Sequence, residues 1–247
     1  MDHAAGIAHL HVEYRLLAAA IAAARPDEPV SSCPGWTVAD LAAHVTTVYR
    51  HKTESMRRGE NPRPWPPPGG VGTLDDAFAE LIGEFAARPA EQPTVTWFTP
   101  DQTVGFWIRR MAHETAVHRV DAELGADFPI TPVDEELALD GIDELLRTNV
   151  EFAFASWPED FTEVFHGADP RPVLIDAGRR AWWITTGPTE IVVTDAEPDT
   201  EPDTEPARLT GRPGELYRYL WGRPGDVRFQ GGAERAAQLS AVLAVAL

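Results

Sequence analysis

Residues 110–121 read Arg110-Met111-Ala112-His113-Glu114-Thr115-Ala116-Val117-His118-Arg119-Val120-Asp121. Val117, Val120 and Leu124 give this stretch an apolar side, and the pattern predicts a helix over about Thr103–Leu124. Glu114 and His118 are four apart, so they share a face of that helix. Arg110 lies one turn earlier on the same face and Asp121 one turn later. A polar stripe among apolar neighbours needs partners, because unpaired buried charges are costly. The helix is therefore expected to sit inside a bundle and to present charged groups to another helix.

The remaining helices follow from this one. Ile7, Leu10, Tyr14, Leu17 and Ile21 recur at steps of three and four, and Arg25-Pro26 ends the run. Thr37 is a good N-cap with Asp40 three residues on, and Leu41, Val45 and Val48 follow at helical spacing. Thr73 opens a third helix in the same way, with Leu74, Phe78, Leu81 and Phe85 on one face. The five prolines and three glycines of residues 61–72 must form a loop. A fifth helix is expected from about Val133 to Phe152. Long helices in antiparallel pairs point to a bundle.

The pattern changes after Trp157. Strands are expected at Pro172–Ile175, Ala181–Thr185, Glu190–Val193 and Asp226–Gln230, with Gly187-Pro188 turning a hairpin. Pro213 suits the first turn of a short helix through Trp221, and Ala233–Leu247 reads as a final helix. Residues 197–206 repeat acid, proline and threonine and are expected to form a mobile loop. The chain thus reads as α+β, with a helical domain over 1–155 and an α/β domain over 156–247.

Composition narrows the function. Net charge is −18, which repels nucleic acid and anionic lipid, since both are bound mainly through Lys and Arg. No run of about 18 apolar residues offers a membrane span, and the first residues do not read as a secretory signal. Cys33 is the only cysteine, so no internal disulfide forms, which fits a reducing cytoplasm. It is read as an inert thiol, although its place just ahead of a helix leaves a reactive role open. Lys52 is the only lysine, and the Arg, Ala, Pro and Gly usage suggests a GC-rich genome.

Carboxylate and imidazole are ordinary zinc ligands. His113 and His118 are five apart and cannot both reach one ion in the manner of a zinc-protease helix, whose two His are four apart. His44 sits at helical spacing from Leu41 and Val48, on or beside the buried face of the second helix. It supplies a third ligand to Glu114 and His118. His3, His9, His11, His51, His113 and His166 lack such a combination and read as surface or satisfied residues. Three protein ligands would leave a position open, the pattern of catalytic zinc. A structural ion that pins the bundle is the alternative.

Cys33-Pro34-Gly35-Trp36-Thr37-Val38-Ala39-Asp40-Leu41-Ala42-Ala43-His44-Val45 resembles the start of the second helix in the mycothiol-dependent maleylpyruvate isomerase family. Residues 114–121 resemble its second motif, and residues 209–223 resemble its C-terminal domain. The resemblance implies a DinB-like four-helix metal-binding bundle followed by a small α/β domain like sterol carrier proteins. It implies zinc on His44, Glu114 and His118, and the actinobacterial thiol mycothiol as co-substrate. It also implies a catalytic arginine in the C-terminal domain, for which Arg223 is the best match. Arg223 would suit a carboxylate, in a cleft expected between the two domains. The expected activity is isomerisation or S-transfer on a small electrophile. A non-catalytic metal-binding module and a hydrolase using zinc-bound water stand as alternatives.

Overall fold

The computed structural model describes residues 1–67, 70–165, 171–187, 189–196 and 205–247. It divides into two compact units, residues 1–131 and 132–247. The first is helical and the second holds a small sheet, so the chain is α+β. The expected loop over the acidic repeat, apart from its last two residues, lies outside the described residues, as do His166 and Pro188.

The first unit contains α1 (His3–Ala23), α2 (Val38–Arg58), α3 (Leu74–Ala87) and α4 (Val104–Gly125). The start signals of three of them are threonines. The Thr37 hydroxyl accepts from the backbone N–H of Asp40, and the Asp40 carboxylate accepts from the backbone N–H of Thr37 at 2.9 Å, a complete capping box. Thr73 caps α3 and Thr103 caps α4 likewise. Gly59 ends α2 in the left-handed region at φ 69°, where a side chain would be strained. Thr37→Ala is expected to cost about 1 kcal/mol, read as a lowered urea midpoint for loss of helical signal. Thr37→Ser should restore it.

α4 is the central helix of this unit, buried on nearly every side, with α1 and α2 packed on it. Leu10, Leu17, Leu41, Val45, Tyr49 and Leu81 have no exposed surface. Most of the residues expected from periodicity are buried, while Ile7, Ile21, Val48 and Leu74 are only partly so, and Tyr49 takes the inner position next to Val48. α1 and α4 approach closely at Gly6, where a Cβ would stand 3.1 Å from Ile108. Charge links the same pair of helices. Arg119, fully buried, donates to Glu13 at 2.7 Å and to Glu123 at 2.8 Å, and also to the carbonyl of Thr131 at 2.7 Å.

In the second unit the expected helix over Val133–Phe152 runs as α5 (Glu135–Glu144), a π-helical segment (Leu145–Glu151) and α6 (Phe152–Ser156). A 3₁₀ segment, Pro158–Phe165, follows. The strands are β1 (Val173–Asp176), β2 (Ala181–Thr186), β3 (Ile191–Asp195), β4 (Ala207–Gly211) and β5 (Val227–Gln230), with α7 (Pro213–Leu220) and α8 (Ala233–Ala246). The sheet order is β3-β2-β1-β4-β5; only the β1–β4 pair is parallel. β4 is an addition to the sequence reading. Its five residues carry one branched aliphatic, Leu209, and it becomes a strand by pairing with β1.

The fifth helix packs within the second unit, whereas the sequence reading grouped it with the first. Trp182 donates from β2 to Asp143 at 3.1 Å, and Trp221 donates to the carbonyl of Gly141 at 3.3 Å. Arg147 donates to the carbonyl of Val193 at 2.8 Å. Helical periodicity says that a face is buried, but not against which neighbour.

Candidate metal centre

α2 delivers His44 and α4 delivers Glu114 and His118. Their three ligand atoms lie within 4.8 Å of one another. Oε1 of Glu114 is 3.2 Å from Nε2 of His44 and 3.2 Å from Nε2 of His118. The other Glu114 oxygen accepts from Arg110 at 3.1 Å. The stripe anticipated on α4 is thus real, and its partner is a histidine one helix away. His44 is the exposed member at 36%, against 17% for Glu114 and 10% for His118, so the cluster opens on the His44 side.

Asp121 grips His118 from behind. Its Oδ2 is 2.9 Å from His118 Nδ1, and it is fully buried. A turn ahead of α2 completes this support. Ser32 donates to Asp121 Oδ1 at 2.5 Å and the Cys33 thiol to Oδ2 at 3.4 Å. The turn runs through Pro34-Gly35, closed by the backbone N–H of Trp36 donating to the carbonyl of Cys33 at 3.0 Å. Pro at its second position and Gly35 at φ 84° at its third are the residues that a type II turn requires. It sets the Trp36 ring 4.8 Å from the His44 ring. Cys33 is therefore half-buried against a carboxylate and caps the supporting shell.

The charged groups of the cluster shift one another. Burial alone would raise the Glu114 carboxyl. The positive charge of His118 and the contacts from His118, His44 and Arg110 outweigh it and hold Glu114 well below the usual carboxylate range. Burial would lower His118, but the carboxylates of Glu114 and Asp121 push it up to about 9. Both His118 nitrogens face carboxylates. A divalent ion replacing the proton on Nε2 would leave the Nδ1–H···Asp121 bond intact, the arrangement that orients a metal-ligating histidine. The donor set and its support therefore fit a metal.

A second group, Cys33, His118 and Asp121, also meets the 4.8 Å criterion. It shares His118 through the other nitrogen, so it cannot be filled while Nδ1 serves as the hydrogen-bond donor. His113 has no exposed surface and is in neither group. Arg223 lies in the second unit, just past Gly222 at the end of α7. Its side chain donates to the carbonyl of Trp221. It borders a recess with Tyr219, Ser240 and Leu243.

The sequence reading noted Asp121 only as an extension of the stripe. Its role behind His118 has a local signal, the three-residue spacing on one helical face. No spacing signal ties Ser32 or Cys33 to Asp121, because that partner lies on α4, far along the chain.

No helix among the described residues is long and apolar enough to cross a membrane. No curated protein and no solved structure matches the chain. Residues 7–123, which include all three clustered side chains and Asp121, match the family described as the mycothiol maleylpyruvate isomerase N-terminal domain. Over these residues the chain is similar to the N-terminal domain of the mycothiol maleylpyruvate isomerases.

Proposed function

We propose that His44, Glu114 and His118 bind one divalent metal ion, zinc by donor type, and that the protein is a mycothiol-dependent enzyme acting on a small electrophile by isomerisation or S-transfer. The observation that carries this is the convergence of two imidazoles and a carboxylate within 4.8 Å, with the third ligand braced by Asp121. Two nitrogens and one oxygen make a set that zinc accepts with a position left for another ligand. When bound, the ion would supply a Lewis acid that holds a thiol as thiolate at neutral pH. The chain's own residues do the rest. Asp121 fixes the ring of His118, Arg110 fixes the carboxylate of Glu114, and Trp36 covers His44. We further assign the first unit to the DinB-like bundles and the second to the sterol-carrier-like domains. Arg223 is assigned to a carboxylate of substrate or thiol, which a guanidinium binds through two parallel hydrogen bonds.

The test is elemental analysis joined to a thiol-dependence assay. Protein purified without chelator should hold about one divalent ion per chain, and turnover of an activated cis alkene or an electrophile should require mycothiol. Arg223→Ala should keep the metal and lose turnover, and Arg223→Lys should fail to restore it, since a point charge does not replace the fork. Absence of metal from folded protein overturns the site. Turnover with water alone overturns the thiol mechanism in favour of hydrolysis.

A further inference from the structure

A cavity of about 390 Å³ in the first unit has walls of a different kind from the metal cluster. Three of its lining residues are tryptophans, Trp65, Trp97 and Trp107, and Lys52, His51 and Arg63 supply its polar part. Trp107 stands on the same face of α4 as Arg110, Glu114 and His118. It lies seven residues before Glu114, about 10 Å along the helix at 1.5 Å per residue. Lys52 likewise lies eight residues after His44 on α2. The cavity therefore lies along the stretches of α2 and α4 beyond the metal ligands.

Lys52 is the anomaly. It is the only lysine in a chain with 39 acidic residues. Yet its ammonium has no carboxylate within ion-pair distance among the described residues. It lies 4.6 Å from the centre of the Trp107 ring and 3.3 Å from Nδ1 of His51. Burial lowers its pKa to about 8, with the more distant Glu114 opposing that shift and Arg110 adding to it. Burial and then the Lys52 charge push His51 down to about 4, so His51 is neutral and accepts from Lys52 through Nδ1. Its proton is then on Nε2. The indole N–H of Trp65 is buried with no acceptor among the described residues. A half-buried cation and two further N–H donors thus meet flat aromatic walls, with no carboxylate of the described residues within ion-pair distance of the cation. Such a charge is costly unless something pairs with it.

We propose that this cavity is a binding site for a small planar carboxylate, whose acid group pairs with Lys52 and whose flat body lies among Trp65, Trp97 and Trp107. Arg63 is exposed to solvent, so Lys52 is the one half-buried cation of the lining, and one ammonium matches one carboxylate rather than a multiply charged phosphate, while indole faces match an unsaturated or aromatic body. The volume suits a small molecule. This rests on the proposed function only in making the bound acid a substrate.

The test uses the full chain, as purified and after chelation, with cinnamate, its neutral isostere cinnamamide, and acetate. Cinnamate should quench tryptophan fluorescence and bind at least about tenfold more tightly than cinnamamide or acetate, the worth of one charge-assisted hydrogen bond joined to a flat body. Lys52→Met, which keeps the apolar stem, should bring cinnamate down to the affinity of the amide and leave the amide unchanged. Because Lys52 is the only lysine, reductive methylation with ¹³C-formaldehyde labels only it and the α-amino group. Its resonance should move on addition of cinnamate and stay still with cinnamamide. Equal binding of acid and amide, a still Lys52 signal, or no binding overturns the inference. Chelated protein that binds no acid, beside purified protein that holds metal, sinks this site and leaves the metal centre standing. Acid binding by protein that holds no metal as purified does the reverse.

Discussion

His118→Ala is expected to empty the metal centre, and Asp121→Asn to weaken it by about 10–100-fold with all three ligands still in place. The alanine removes one of three donors outright. The asparagine keeps the shape of Asp121 and its bond to Ser32, but loses the negative charge behind His118 Nδ1. The imidazole then becomes a poorer donor and a less firmly oriented one. Glu114→Gln should weaken the site as well, because a neutral amide replaces the carboxylate. His113→Ala is the control. It removes a buried ring that belongs to neither cluster, so it should lower stability and leave metal stoichiometry unchanged. Competition with a chromophoric chelator gives the affinities, and elemental analysis gives the stoichiometry. Wild-type metal in folded His118→Ala would remove the proposed site altogether. Equal affinity in wild type and Asp121→Asn would leave Asp121 with a purely structural role.

Arg119→Ala should cost about 3–5 kcal/mol, the largest loss of stability expected from any single change outside the apolar core. The guanidinium is fully buried between Glu13 and Glu123. Taking it away leaves two carboxylates without a cation in a place that water does not reach. Part of the loss would come from Thr131, whose carbonyl accepts from Arg119 and whose N–H donates to Glu123 at 3.0 Å. Arg119→Lys should recover only part of the stability, since one ammonium cannot reach both carboxylates and the carbonyl in fixed directions. The combined change of Arg119→Met, Glu13→Leu and Glu123→Gln should be far milder than Arg119→Ala alone, because the charges leave together. Urea unfolding followed by circular dichroism measures both. An Arg119→Ala midpoint equal to that of wild type would show that the network contributes nothing net.

Much of the first unit was legible because its signals are local. A threonine with an aspartate three residues later is a capping box wherever the chain goes next, and Thr37 and Asp40 form one. Leu41, Val45 and Val48, or Leu74, Phe78, Leu81 and Phe85, declare a helix by spacing alone, although the structure buries Tyr49 more deeply than Val48. The same logic put Glu114 and His118 on one face and placed His44 beside a buried stripe. It could not reach what holds them. Ser32 and Cys33 meet Asp121 across separations of 89 and 88 residues, and no periodicity encodes such a meeting.

The second unit shows the limit from the other side. Ala207–Gly211 has little strand character of its own and is a strand because β1 offers a free edge to pair with. The fifth helix has a clear apolar face, yet only the tertiary structure decides that this face goes to the sheet, through Trp182 and Trp221. Lys52 carried no signal except its rarity. Its meaning comes from Trp107 on another helix and from the absence of a nearby carboxylate among the described residues. The sequence by itself determined where helices start, which faces turn inward and that Glu114 and His118 share one face, because backbone hydrogen bonds and side-chain spacing act over a few residues. The tertiary structure alone decided which groups meet, because burial and charge pairing act between segments that the chain keeps far apart.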